Sequence, residues 1–245
     1  MTRRTERFFT ARVLRTERLT RVLQRVVLGG PGMADYASSG VADEAFRLLV
    51  PPTRASRWYT VRRFAPGEVT VDVVLHGHGL ASAWAERARP GDEIVLTTAG
   101  GRYAPPPEST WDLVVADQTG LPAAARILEE LAPGRRASAI LEAPDPDCRV
   151  PIDTSAALTW VDHPDVERPS PLDDAVRHFR MPDGPGYLWM AGESRCARSI
   201  RRYLRHELGW PAAAYAVNGY WRSPTLDSSG PSATPSGVTE PGLRR

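Results

Sequence analysis

The chain has no lysine: all 31 of its basic residues are arginine. That absence excludes a Schiff-base lysine and a P-loop, and leaves each positive site as a planar, always-charged fork. Cysteine is nearly as scarce, with only Cys148 and Cys196. They have neither C-x-x-C spacing nor clustered histidine company, so no metal site is expected and any redox chemistry must run on an organic cofactor. No stretch approaches the roughly 18 apolar residues of a membrane span, and the early arginines Arg3, Arg4 and Arg7 precede no apolar signal region. A cytoplasmic protein without membrane insertion is expected. The net charge is only +2, and the basic residues are scattered along the chain. This argues against a nucleic-acid or membrane-surface role.

The length of 245 residues, with 42% hydrophobic and 24% charged residues, suits a globular protein of two domains. Strands are expected at Phe8 to Leu14, Thr20 to Leu28, Phe46 to Val50, Val61, Glu68 to His76 and Ile94 to Thr97, with one helix from Ser82 to Arg89. Residues 1–104 therefore read as a small antiparallel β-barrel domain. Residues 105–110, with Pro105-Pro106-Pro107, read as a linker. From residue 111 to 222 strand and helix alternate. Trp111 to Asp117, Ala137 to Glu142, Ala157 to Val161, Gly186 to Ala191 and Ala213 to Val217 are the strands, and Thr119 to Ala132, Leu172 to Phe179 and Ser194 to Glu207 the helices. That pattern predicts a Rossmann-like α/β domain, a parallel sheet with helices on both sides. Residues 223–245 are mostly Ser, Pro, Thr and Gly and read as a disordered tail.

Two motifs in the first half carry chemistry. After the strand from Glu68, His76-Gly77-His78-Gly79-Leu80-Ala81-Ser82 is a glycine turn opening a helix, where backbone N–H groups, the helix dipole and the Ser82 hydroxyl converge on a point suited to phosphate. One strand upstream, Arg57-Trp58-Tyr59-Thr60 supplies a guanidinium for phosphate oxygens, a phenol ring to lie against a flavin, and a hydroxyl to reach the ring or its ribityl chain. Each piece has a plainer explanation. The glycine turn can be a mere turn, Arg57 and Tyr59 can be an exposed and a half-buried strand residue, and His76 can be a strand-end histidine bonded to backbone. Together they read as one flavin site.

Arg57-Trp58-Tyr59-Thr60-Val61-Arg62, then Leu75-His76-Gly77 and Ala81-Ser82-Ala83-Trp84, resemble the siderophore-interacting protein family of FAD-dependent ferric-siderophore reductases, within the ferredoxin-reductase-like superfamily. Gly91-Asp92 and Gly100-Gly101-Arg102-Tyr103 continue the likeness. So do Ala116-Asp117-Gln118-Thr119-Gly120-Leu121-Pro122, Trp189-Met190-Ala191-Gly192-Glu193-Ser194 and Gly219-Tyr220-Trp221-Arg222. The motifs span roughly residues 10 to 222 in family order. Gln118 stands where the family usually has an acid, and the helix or basic segment that ends some members is missing after Arg222.

The resemblance implies an FAD-binding barrel of the ferredoxin-reductase kind. Arg57, Tyr59 and Thr60 would hold the flavin ring and phosphate, with Tyr59 and Thr60 nearest the chemistry, and Val74, His76, Gly79, Ala81 and Ser82 would face the rest of the cofactor. Asp117, Thr119, Gly192 and Glu193 are the candidates for NAD(P)H binding. A βα turn with Thr119 as N-cap, and Glu193 as a cap for the next helix, are the structural alternatives. Tyr220 and Trp221 can cover the flavin or close the core. Arg54 and Arg222 are the candidates for an anionic ferric siderophore. The implied activity moves electrons from NAD(P)H or reduced ferredoxin through FAD to a ferric siderophore, in a monomer. A siderophore or flavin carrier with a degenerate donor domain, or a generic flavin reductase, are the other readings.

Overall fold

A computed structural model describes residues 6–77 and 79–223. The first half contains β1 (Phe8–Thr20), β2 (Leu23–Gly29), β3 (Ala45–Val50), β4 (Ala55–Thr60), β5 (Arg63–Ala65), β6 (Glu68–Val74), the helix α1 (Leu80–Arg87) and β7 (Glu93–Thr97). The strands form one antiparallel sheet in the order β4-β3-β7-β1-β2-β6-β5. Period-two burial drives it: Phe9, Ala11 and Val13 on β1 and Phe46, Leu48 and Val50 on β3 all face inward. They meet Val26, Leu28, Val69, Val71, Val73, Ile94 and Leu96 in one core. Contact of β4 with β6 curls the sheet into a barrel. Ala81, Trp84, Ala85 and Ala88, spaced at three and four residues, lay α1 and its end against that core.

The second half contains β8 (Trp111–Ala116), α2 (Leu121–Glu129), β9 (Arg136–Ala143), β10 (Ala157–Asp162), α3 (Leu172–His178), β11 (Gly186–Glu193), α4 (Ser194–Arg202) and β12 (Tyr215–Trp221). The sheet order is β10-β9-β8-β11-β12, with every pair parallel. Every residue of β8 and β11 is buried, as two covered faces require. Val114 and Ala116 pack with Ala123, Ala124 and Ile127 of α2, while Leu113 and Val115 pack with Leu172 of α3 and Ile200 of α4. Strand order reverses between β8 and β11, so their carboxyl ends border the crevice where ligands of such sheets bind.

Buried charge locks the two halves together. Arg62, just after β4, donates to both oxygens of Glu129 at 2.7 and 2.6 Å. Arg126 on α2 donates to Glu44 at 2.9 Å and to the Val61 carbonyl at 2.8 Å. Asp43 accepts from the backbone of Arg102 and Tyr103 at 2.6 and 2.8 Å and from the Trp189 indole at 2.9 Å. The β4–β5 junction is therefore held against α2. Among the described residues, no helix is long and apolar enough to cross a membrane.

Several boundaries differ from the sequence expectation. β1 continues past Leu14 to Thr20, because it stays paired with β2 as far as Thr20↔Leu23 after a bulge at Val13/Arg15. Its last seven residues include no buried side chain, so no hydrophobic alternation marked them as strand. β4 occupies Ala55–Thr60, ahead of the strand expected at Val61, and α4 passes into a wider π turn at Tyr203–Glu207. β12 runs to Trp221 rather than ending at Val217, since the ladder with β11 carries on through Gly192↔Gly219. Of the expected tail, Ser223 is buried. The rest, 224–245, lies outside the described residues.

Candidate functional site

β4 is an edge strand of the barrel, and its register with β3 sorts the first motif. Arg57 and Tyr59 lie opposite the buried Leu48 and Phe46, whereas Trp58 lies opposite Arg47 on the outer face and is 67% exposed. Tyr59 packs half-buried against the barrel core. Burial pushes its hydroxyl up to about 12, so at neutral pH it stays protonated and can donate. Arg57 is exposed and donates to the neighbouring Ser56 carbonyl at 2.9 Å. Among the described residues, no carboxylate pairs with it. Thr60 is buried, and its side chain lies beside the hydroxyl of Tyr220 from the other half.

The second motif is one strand away, because β6, which touches β4, leads into the glycine turn. Val74 is half-buried and His76 is exposed at the strand's end. Gly77 and Gly79 have φ of 72° and 89°, the left-handed region that L side chains avoid. The N-cap of α1 is Gly79, which has no side chain to cap it. Ala81 and Ser82 are buried in its first turn, and Ser82 Oγ accepts from the His76 amide at 3.3 Å, leaving its own proton to donate. A helix start with glycine at its N-cap, a turn with two glycines at positive φ and a guanidinium with no carboxylate partner among the described residues suit the phosphates and ring of FAD.

Asp117, Thr119, Gly192 and Glu193 do come together, at the carboxyl ends of β8 and β11. Their side chains are engaged within the protein. Asp117 Oδ1 accepts from the Thr119 amide at 2.8 Å, the Thr119 hydroxyl at 2.7 Å and the Gly120 amide at 3.1 Å. Its Oδ2 accepts from the Trp221 indole at 2.7 Å. The turn is therefore closed by Asp117, not by Thr119 as N-cap. Burial, and then the nearby charge of Glu142, raise the Asp117 pKa. Glu193 caps α4, accepting from the amides of Arg195 and Cys196 at 2.6 and 3.0 Å.

The aromatic pair of β12 divides between the two roles that the sequence left open. Trp221 turns inward to Asp117, while Tyr220 is 40% exposed beside Thr60. Arg54 is exposed with φ of 56°, Arg222 is exposed too, and among the described residues neither forms an ion pair. The sequence reading missed a buried group at the end of β9. Glu142 accepts from Ser170 at 2.5 Å and meets His163 Nδ1 at 2.9 Å, and its bond to His163 raises the His163 pKa. An acid closing the apolar run of β9 was its one visible signal. A cavity of about 370 Å³ between the barrel and α2, bordered by Arg18, Arg62, Leu121 and Pro122, is lined by none of the predicted site residues.

The siderophore-interacting protein family pattern matches residues 109–224, and the siderophore-interacting FAD-binding domain matches residues 54–103. The chain is 31% identical over 259 residues to an uncharacterized protein of Mycobacterium tuberculosis (strain ATCC 25618 / H37Rv), covering 86% of this chain and 88% of that one. To the NADPH-dependent ferric-chelate reductase of Escherichia coli (strain K12) it is 27% identical over 246 residues, covering 89% and 94%. Its fold matches a crystal structure of a siderophore utilization protein from T. fusca with a TM-score of 0.81 at 28% identity, covering 90% and 95%.

Proposed function

Since this chain belongs to the siderophore-interacting protein family, we propose that it is an FAD-dependent reductase that passes electrons from NAD(P)H or reduced ferredoxin to ferric siderophores, releasing ferrous iron. One observation carries the reading. The segment matching the FAD-binding domain holds Arg57, with no carboxylate partner among the described residues, on a strand in contact with the one that leads into a glycine turn and the start of α1. Bound there, FAD would supply chemistry the side chains lack, taking two electrons as hydride from a reduced nicotinamide and yielding them singly to two ferric ions, with one proton released.

The chain's own part is positioning. Arg57 pairs with phosphate, Tyr59 and Thr60 orient the ring by packing and hydrogen bonding, and Val74, His76, Gly79, Ala81 and Ser82 accommodate the remainder. Tyr220 screens the site from water on the side of the second half. Ferric iron held by hard oxygen donors becomes, on reduction, a more weakly held ferrous ion that can leave. Arg54 and Arg222 attract the anionic chelate.

The test is to purify the protein, record its visible spectrum with and without added FAD, and then add NADH, NADPH or reduced ferredoxin and a ferric siderophore anaerobically with a ferrous-specific dye. Flavin uptake followed by dye formation is expected. A protein that takes up no FAD sinks the proposal. A second reading, a carrier whose donor half is inactive, is favoured by one feature: the helix starts beside β8 and β11 are already occupied by Asp117 and Glu193. A carrier would bind flavin and chelate but leave every donor unoxidised.

A further inference from the structure

In a parallel sheet with this strand order, a dinucleotide's phosphates settle on backbone N–H groups where helices start beside the reversal of strand order. Here those are α2, after β8, and α4, after β11. At α2, the amides of Thr119 and Gly120 donate to Asp117 Oδ1, and that of Leu121 donates to the Asp117 carbonyl at 2.9 Å. Pro122 has no N–H to give. At α4, the amides of Arg195 and Cys196 both donate to Glu193 Oε2.

The glycines are accounted for as well. A Cβ on Gly120 would lie 2.4 Å from the Ala191 carbonyl oxygen, and one on Gly192 would lie 2.8 Å from Asp117 Oδ2. Their missing side chains make room for the protein's own atoms, not for a phosphate. The lining is unsuited to an anion too: Asp117 and Glu193 are buried acids at the same strand ends, 3% and 4% exposed, with Glu142 and its partner His163 beyond them. Seating a pyrophosphate would mean breaking the caps and placing its charge beside carboxylates.

We infer that this crevice takes no dinucleotide pyrophosphate, so that a nicotinamide donor is selected by its reduced ring and not by its adenosine phosphates. This rests on the proposed donor-to-flavin activity and narrows the donor's recognition. NADH, NADPH and reduced nicotinamide mononucleotide should then serve about equally well.

Two measurements on the full-length, FAD-loaded protein test it. Equilibrium dialysis against ADP-ribose, which carries the pyrophosphate without the nicotinamide, should give a dissociation constant weaker than about 1 mM. Stopped-flow reduction by NADH, NADPH and reduced nicotinamide mononucleotide should give second-order rate constants within about tenfold of one another. Tighter binding of ADP-ribose, or a dinucleotide outrunning the mononucleotide by more than that factor, overturns the inference. Flavin that none of the three reduces would refute the nicotinamide donor of the proposed function, and the dialysis would still decide whether the crevice holds a pyrophosphate.

Discussion

Replacing Arg57 with alanine should separate flavin affinity from stability. Arg57 is exposed on an edge strand, and among the described residues its side chain's one hydrogen bond runs to the carbonyl of the preceding residue. Losing such a side chain costs the apoprotein no more than about 0.5 kcal/mol, which in a chain of this size is a melting shift of about 1–2 °C. If the guanidinium pairs with a flavin phosphate, a charge-assisted bond of about 1.5–3 kcal/mol is lost on binding. That corresponds to a dissociation constant about 10- to 150-fold weaker. The assay is a fluorescence titration of apoprotein with FAD, run beside a thermal melt of both apoproteins. Arg57→Lys, which keeps the charge but not the fork, should fall between alanine and wild type. A dissociation constant unchanged by Arg57→Ala would place the phosphate elsewhere. A fall of many degrees in the apoprotein would show that Arg57 supports the barrel.

Arg62→Ala should cost about 3–5 kcal/mol in urea unfolding, since it removes the two-pronged partner of Glu129 and leaves it only the longer contact to Arg63, while Asp72 keeps Arg25; a loss under about 1 kcal/mol would mean that water replaces it. Glu193→Ala should cost about 0.5–2 kcal/mol by uncapping α4, while Glu193→Gln, still an acceptor, should cost less; equal losses would show that charge and not capping matters. His163 gains a proton-binding partner in Glu142 and its folded pKa is raised, so the pair's contribution is full below the unfolded value of about 6.5 and fades as pH climbs through the folded one. The stability gap between wild type and His163→Gln should accordingly narrow toward alkaline pH, and a gap that widens would reverse the assignment. Arg54→Ala with Arg222→Ala should raise KM for an anionic ferric chelate at low ionic strength and weaken its salt dependence, leaving the flavin spectrum alone; an unchanged KM would place the chelate elsewhere.

The architecture was legible because most of its elements bury a regular pattern. Phe46, Leu48 and Val50 alternate, the six residues of β8 are apolar but for Asp112, and α2 shows its apolar face at helical spacing. Legibility failed where pairing outlasts burial. The far half of β1 is held by its ladder to β2, and the end of β12 by its ladder to β11 across an Asn-Gly step that reads as a turn. Hydrogen bonds between backbones carry no residue code, so these stretches leave no periodic trace.

At the sites, residue type told where the chain turns but not what fills the turn. Gly77 and Gly79 stand at positive φ before a helix whose N-cap is glycine, and the space a Gly77 side chain would take is open. Gly120 and Gly192 sit in a motif of the same character, yet Ala191 and Asp117 occupy the room they leave. The difference lies in the neighbouring acid. An aspartate two and three residues before the amides it caps takes the donors a phosphate would need, and a tryptophan about a hundred residues later fastens that aspartate in place. Sequence spacing shows the first relation, but only the fold shows the second. The barrel's glycines therefore serve the turn's own left-handed backbone, whereas the same residue type in the α/β half marks close packing of β11 against the turn after β8.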